Sequence, residues 1–239
     1  MSREIFRRKE QKYILTDTQR HAMEALLREY MQPDRYGCST VCSLYLDTPD
    51  YRLIRRSLAK PVYKEKLRLR SYGQAGPDTT VFLELKKKYK GIVYKRRILL
   101  PAEKAECYLA HPAEAVEDSQ IGREIHYTMG FYPDIAPRVY LCFDRVAWVG
   151  RDDPALRLTF DRNIRWRADN LSLTALPGGE SLLADNESLL EIKALGAMPL
   201  WMARFLSQQR IRQVSFSKYG RAYEAIARKS KESRGIPCA

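Results

Sequence analysis

Long apolar runs are missing from this sequence: nowhere does it reach the roughly 18 to 20 residues that a helix needs to cross a bilayer. Histidine and cysteine are scarce, with 3 and 5 in 239 residues. The cysteines, Cys38, Cys42, Cys107, Cys142 and Cys238, are odd in number, and no two stand in C-x-x-C spacing. A zinc site is therefore not expected, and the thiols should be reduced and idle. Acidic charge is also short, with 29 Asp and Glu against 42 Lys and Arg, a formal charge of +13. That imbalance does not select a fold. It favours an anionic partner: nucleic acid, phosphates or an acidic membrane surface. The first twelve residues lack the apolar stretch of a signal peptide, so a cytoplasmic protein is expected.

What is present suits a folded domain. Hydrophobic residues make up 45% of the chain, which argues against wholesale disorder. No low-complexity linker or internal repeat divides it. A single domain over residues 1–239 is expected, fraying at about residues 231–239. Alternation predicts strands over 5–14, 39–47, 62–72, 80–88, 91–100, 138–149, 155–165 and 187–194, with a further one at 171–176. Helices are predicted over 18–31, after Thr16-Asp-Thr, and from Thr48-Pro49-Asp50 through Leu58. Residues 101–130 read as mainly helical, and two helices, 199–209 and 217–231, close the chain. Pro33-Asp-Arg-Tyr-Gly37 should end the first helix. Short gaps imply antiparallel neighbours, hence an α+β domain built around a sheet or barrel.

The strands separate their chemistry by face, because side chains two apart on a strand point the same way. One face of 63–72 carries Lys64, Lys66, Arg68 and Arg70, and the other Leu67 and Leu69. Phe82, Glu84, Lys86 and Lys88 share a face of the next strand. Arg157, Thr159 and Asp161 do so near the middle of the chain, and Leu189, Glu191 and Lys193 later. One wet face on an open sheet would explain any single strand. A row of four cations fits less easily: charges about 7 Å apart repel by roughly 2.4 kcal/mol at an effective dielectric constant of 20. Inside a closed barrel such rows need counter-charges, and Glu84, Asp161 and Glu191 are too few. A multiply charged anion would supply the deficit. Arginine forks and lysine point charges suit phosphate. A carboxylate among them suits a Mg²⁺ or Mn²⁺ that also binds phosphate oxygens. Whether Glu84 binds metal or pairs with a cation stays open.

These residues carry a family resemblance. Glu10-Gln-Lys12-Tyr13, Leu44-Tyr-Leu-Asp47-Thr48, Lys66-Leu-Arg68-Leu-Arg70-Ser-Tyr72, Phe82-Leu-Glu84-Leu-Lys86 and Val93-Tyr-Lys95-Arg-Arg97 appear in order. Arg145-Val-Ala, Arg157-Leu-Thr-Phe-Asp161, Leu190-Glu191-Ile-Lys193 and Phe216-Ser-Lys218-Tyr219 follow. Together they resemble the VTC polyphosphate polymerase domain, a branch of the triphosphate tunnel metalloenzymes related to CYTH domains. The resemblance implies a closed antiparallel eight-stranded barrel with flanking helices. It implies phosphate contacts from Lys12, Arg68, Arg70, Lys86, Lys95, Arg145, Arg157 and Lys218. Arg68, Arg70, Lys86, Arg157 and Glu191 are the implied catalytic set, with Glu191 as the ligand of Mn²⁺ or Mg²⁺. The implied reaction moves the γ-phosphate of ATP to a polyphosphate chain. CYTH enzymes begin Glu-x-Glu-x-Lys; here the positions are Arg8, Glu10 and Lys12, which favours the polymerase branch. Arg145 shares parity with Val139, Leu141 and Phe143, so strict alternation turns it away from the polar face unless a bulge intervenes. Asp47 and Asp161 are expected to serve turns and buried pairing.

Two other functions use the same residues: hydrolysis of triphosphate or an RNA 5′-triphosphate, and non-enzymatic binding of polyphosphate or nucleic acid. Tyr63, Tyr72, Tyr89 and Tyr94 would offer stacking to a nucleic acid. Glu84 and Glu191 repel a phosphate backbone without metal, so no stable nucleic-acid partner is expected.

Overall fold

The computed structural model describes residues 8–112 and 115–232. Residues 5–7 of the first predicted strand, the predicted frayed end beyond 232, and Cys238 lie outside the described residues. Strand β1 (Arg8–Thr16) leads directly into helix α1 (Asp17–Tyr30). Thr16 caps that helix: its hydroxyl accepts the Gln19 N–H, and the Gln19 side chain accepts the Thr16 N–H, a closed capping box. Strand β2 (Met31–Asp47) follows without a loop. Pro33 therefore lies in extended backbone and not in a separate turn, which proline's fixed φ permits where no ladder donor is needed. Next come α2 (Arg52–Leu58), β3 (Tyr63–Tyr72), β4 (Thr80–Tyr89) and β5 (Ile92–Pro101), close to the predicted spans.

The predicted helix over 101–130 is two helices, α3 (Ala102–Ala110) and α4 (Gln120–Phe131). Pro112 explains the break: the residue before a proline is pushed out of the helical region, and His111 has φ −137° and ψ 74°. Strands β6 (Ala136–Gly150) and β7 (Arg157–Arg167) follow. No strand forms at 171–176. A two-residue strand, β8 (Glu180–Ser181), pairs with β7 instead. Leu173 sends its carbonyl to the Ala75 N–H and its side chain into the core, which ties this segment down without a ladder. Strand β9 (Glu187–Leu195) and helices α5 (Leu200–Gln208) and α6 (Lys218–Glu232) complete the chain.

The hydrogen-bonded strand order is β1-β9-β7-β6-β2-β3-β4-β5, with β8 beside β7. The eight long strands and flanking helices match the expected tunnel fold. The expected closure is not made by hydrogen bonds: among the described residues the path starts at β1 and ends at β5. Both end strands are rich in charge (Lys9, Glu10 and Lys12; Lys95, Arg96 and Arg97), which discourages edge pairing. No helix of the described residues is long and apolar enough to cross a membrane.

The chain divides into two compact units, interleaved in sequence. The first comprises the residues up to Thr40, Phe143–Ile164 and Leu183–Phe216. The second comprises Val41–Cys142, Arg165–Leu182 and the residues from Ser217. Each has its own apolar core. In the first, Met23, Leu27, Leu158, Phe160, Leu190 and Met202 are buried together. In the second, Leu44, Leu67, Leu69, Leu83, Leu85 and Tyr140 are. A buried Leu or Phe contributes about 1.5–3 kcal/mol by leaving water, so the apolar face of each strand fixes which side the charged face must take. Cys42 and Cys142 are buried and Cys38 and Cys107 exposed, and none of the four forms a disulfide among the described residues.

Candidate functional site

In the second unit, antiparallel register lines the charged residues up in rows across β2, β3, β4 and β5. Tyr45 stands opposite Arg68, Arg68 opposite Glu84, and Glu84 opposite Arg97. Glu84 is 1% exposed. Its Oε2 accepts from Arg68 at 2.6 Å, and its Oε1 accepts from Lys95 at 2.7 Å and Arg97 at 2.5 Å. One buried carboxylate thus serves three cations. Burial acts to raise the Glu84 carboxyl, but the charges of Arg68, Arg70 and Lys95 outweigh it and hold it well below the usual carboxylate range.

The next row along the strands is wholly cationic: Lys66 stands opposite Lys86, and Lys86 opposite Lys95. Lys64 and Lys88 face each other beyond it. Like charges directly opposite on a sheet destabilise it. The crowding registers on Lys64, whose ammonium is lowered by burial and then by Lys88, Lys60 and Lys86. Lys66 donates to the Ser217 hydroxyl at 3.0 Å. Lys86 is exposed and has no ion pair among the described residues. In a third row, buried Arg70 donates to the Ser43 hydroxyl at 3.3 Å.

Tyr45 couples this cluster to the helices of the same unit. Its hydroxyl accepts from Arg68 at 3.1 Å, and its ring stacks on Tyr219 of α6 with centroids 4.4 Å apart. Burial alone would raise the phenol. Arg68, then Lys66 and Arg70, pull it the other way, down to about 7. The Tyr219 hydroxyl donates to Asp47 at 2.8 Å. Asp47 also accepts the N–H groups of Thr48, Leu53 and Ile54, so it caps α2 from the end of β2. This is the buried, turn-serving role that the sequence suggested for it.

In the first unit a second cluster spans β1, β9 and β7. Lys12 stands opposite Glu191, and Glu191 opposite Thr159. Glu10 stands opposite Lys193, and Lys193 opposite Arg157. Lys12 lies 3.4 Å from Glu10 and 3.3 Å from Glu191, and donates to the Phe216 carbonyl at 3.0 Å. Burial lowers its ammonium, but Glu191 and Glu10 more than reverse that, and the net shift is upward. Arg145 forms a fork on fully buried Asp161, at 2.6 and 2.7 Å, and lies 3.5 Å from Glu191. The Arg145 guanidinium sits 5.1 Å from the Phe143 ring centroid, so it reaches the carboxylates while sharing Phe143's parity. Lys193 is 3.9 Å from Glu191.

The structure thus brings Arg68, Arg70 and Lys95 around Glu84, and Lys12 and Arg145 around Glu191. Arg157 is exposed and enters its cluster only through register opposite Lys193. Lys218 opens α6 beside Ser217, whose hydroxyl caps the helix at the Gly220 N–H. Arg97, Tyr45, Ser43 and Ser217 were missed as site residues. Arg97 had a signal, since it stands two after Lys95 on the same strand face.

Among the described residues no group of three His, Cys, Asp or Glu could hold a metal unaided. The donor set still fits a Mg²⁺ or Mn²⁺ that takes most of its shell from phosphate and water. Glu191 and Glu10 are both within reach of Lys12, and the buried Thr159 hydroxyl opposite Glu191 has no hydrogen-bond partner among the described residues.

Comparison with known proteins bears on this arrangement. The VTC domain family profile matches residues 7–227. The chain belongs to the VTC domain family. Two solved structures share the fold of this VTC domain. One is a proposed adenylate cyclase from Bacillus halodurans, 13% identical with a TM-score of 0.54, covering 88% of this chain and 95% of that one. The other is an adenylyl cyclase candidate from Hippeastrum with a dominant triphosphatase activity, 18% identical with a TM-score of 0.51, covering 88% and 92%. No curated protein matches the chain.

Proposed function

We propose that this VTC domain is a metal-dependent polyphosphate polymerase that moves the γ-phosphate of ATP to the end of a polyphosphate chain. The two interleaved units act as one domain in this reading, since the family match runs unbroken through both. The observation that carries it is the cross-strand lysine row Lys66–Lys86–Lys95 beside a single carboxylate that already serves three cations. Such a face is poorly balanced alone and well balanced against a chain of phosphates.

Each cluster has a share of the work. Arg68, Arg70, Lys86 and Lys95 hold phosphate oxygens, and Glu84 keeps the Arg68 and Arg97 forks in fixed orientation. Lys12, Arg145 and Arg157 add phosphate contacts from the first unit, and Lys218 from the start of α6. Glu191, with Glu10, holds the Mn²⁺ or Mg²⁺, which when bound neutralises charge on the phosphate oxygens. An oxygen of the terminal phosphate attacks the γ-phosphorus, the bond to the β-bridging oxygen breaks, and ADP leaves. Phosphoryl transfer of this kind needs positioning and charge neutralisation more than a side-chain nucleophile.

Triphosphate hydrolysis by the same residues is the alternative, with water as acceptor; the activity named for the Hippeastrum protein keeps it in view. Purified protein incubated with ATP and Mn²⁺, then assayed for long-chain polyphosphate, orthophosphate and ADP, separates the readings. Polymer with ADP is expected. Orthophosphate without polymer would establish the hydrolase, and binding without turnover would leave a phosphate-binding module.

A further inference from the structure

A cavity of about 310 Å³ opens in the second unit on the other side of β3 from Arg68. Glu65 lines it. This carboxylate is 8% exposed, and no cation stands within ion-pair distance of it among the described residues. Its Oε2 accepts the Tyr63 hydroxyl at 2.7 Å, and its Oε1 accepts the Tyr132 hydroxyl. Each carboxylate oxygen keeps a further lone pair, and both phenol oxygens have spent their protons on Glu65. Burial, and then the hydrogen bonds to Glu65, push both phenols well above their usual range. Glu65 and the two phenols therefore offer acceptors, and a ligand group seated on them must bring donors.

The walls are aromatic. Tyr127 and Phe131 of α4 also line the cavity; they stack at 6.2 Å between centroids and are 69% and 52% exposed, an open apolar pair. Arg56, Lys87 and Thr128 complete the lining, and neither cation has an ion-pair partner among the described residues. An acceptor pair, an aromatic wall and two cations match three parts of one molecule: a base with paired N–H donors, its ring face, and a phosphate. Guanine alone among the common bases presents two adjacent N–H donors that one carboxylate can accept together. Adenine would set its N1 acceptor against Glu65.

We propose that this cavity binds a guanine nucleotide, with the base edge on Glu65, the ring against Phe131 and the phosphate near Arg56 and Lys87. The volume suits a mononucleotide, at the small end of ordinary ligand pockets. The site is independent of the Glu84 cluster and of the polymerase reading, and would add a regulatory or specificity function to the domain.

Calorimetric titration of the full chain with GMP, AMP, guanosine and inorganic phosphate tests it. GMP is expected to bind at least about tenfold tighter than AMP, and Glu65→Gln to erase that preference, because the amide offers one acceptor and one donor. Phe131→Ala should weaken both nucleotides about tenfold. Lys87→Ala should weaken GMP but not guanosine. These last two variants alter exposed or half-buried positions and keep the test alive if Glu65→Gln unfolds. Equal affinity for GMP and AMP, a preference that survives Glu65→Gln, or no binding of GMP at millimolar concentration would overturn the proposal.

Discussion

Replacing Glu84 by glutamine removes one negative charge from a nearly inaccessible position and leaves Arg68, Lys95 and Arg97 facing a neutral amide. Breaking a buried pair by deleting one partner costs about 3–5 kcal/mol, most of it from the charges left without compensation. For a chain of this size that corresponds to about 6–20 °C in melting temperature. The pH sign follows from the lowered carboxyl. Glu84's contribution is present above the ordinary carboxylate range and is lost as pH falls through its folded-state value. At neutral pH the wild type holds all of it, so the comparison belongs there. The phosphate reading adds a second arm. With one more net positive charge, the variant should gain more from inorganic tripolyphosphate than the wild type does. A ligand at a hundredfold its Kd adds about 2.7 kcal/mol, enough to recover much of the loss. Thermal melts of both proteins, with and without tripolyphosphate, provide the assay. A variant melting within about 2 °C of the wild type, or one that tripolyphosphate fails to rescue, would refute the reasoning.

Tyr45→Phe should abolish a phenolate absorbance change with a midpoint near 7. Because the folded-state value is lowered, the Tyr45 share of stability is full above the ordinary phenol range and fades as pH falls through 7, and the phenylalanine variant should lack that slope. Asp161→Asn should cost about 3–5 kcal/mol in denaturant unfolding. A double-mutant cycle with Arg145→Ala should show coupling of at least about 1 kcal/mol, and additive losses would dissolve the fork as an energetic unit. Glu191→Gln should weaken Mn²⁺ binding measured with tripolyphosphate present by roughly tenfold or more; unchanged Mn²⁺ affinity would remove Glu191 from the metal shell.

The separation of faces on β3, β4 and β9 was legible in the sequence because each strand gathers most of its charge on one parity and most of its apolar residues on the other. Arg68, Arg70 and Glu191 stood out on that basis, whereas Lys95, on β5, was named through the family resemblance alone. Glu84 could not be assigned, because whether it meets cations or metal depends on which residue stands across each ladder. Register is a property of two strands, and the placement of Tyr45 opposite Arg68 is written in neither strand by itself. Arg145 defied simple alternation because its fork on buried Asp161 carries its guanidinium over Phe143. Pro112 was a visible break in the predicted 101–130 helix that its surrounding helix formers obscured. The joining of α1 to β2 without a loop had no local signal, since Pro33 and Gly37 ordinarily mark turns.

Lys86 and Lys95 offer the most direct test of the account, since both are exposed and their loss should leave the fold intact. Calorimetric titration with inorganic tripolyphosphate should show the Lys86→Ala/Lys95→Ala protein binding about a hundredfold more weakly than the wild type, while it still unfolds cooperatively. Equal affinity of the two proteins would mean that this lysine row holds no phosphate.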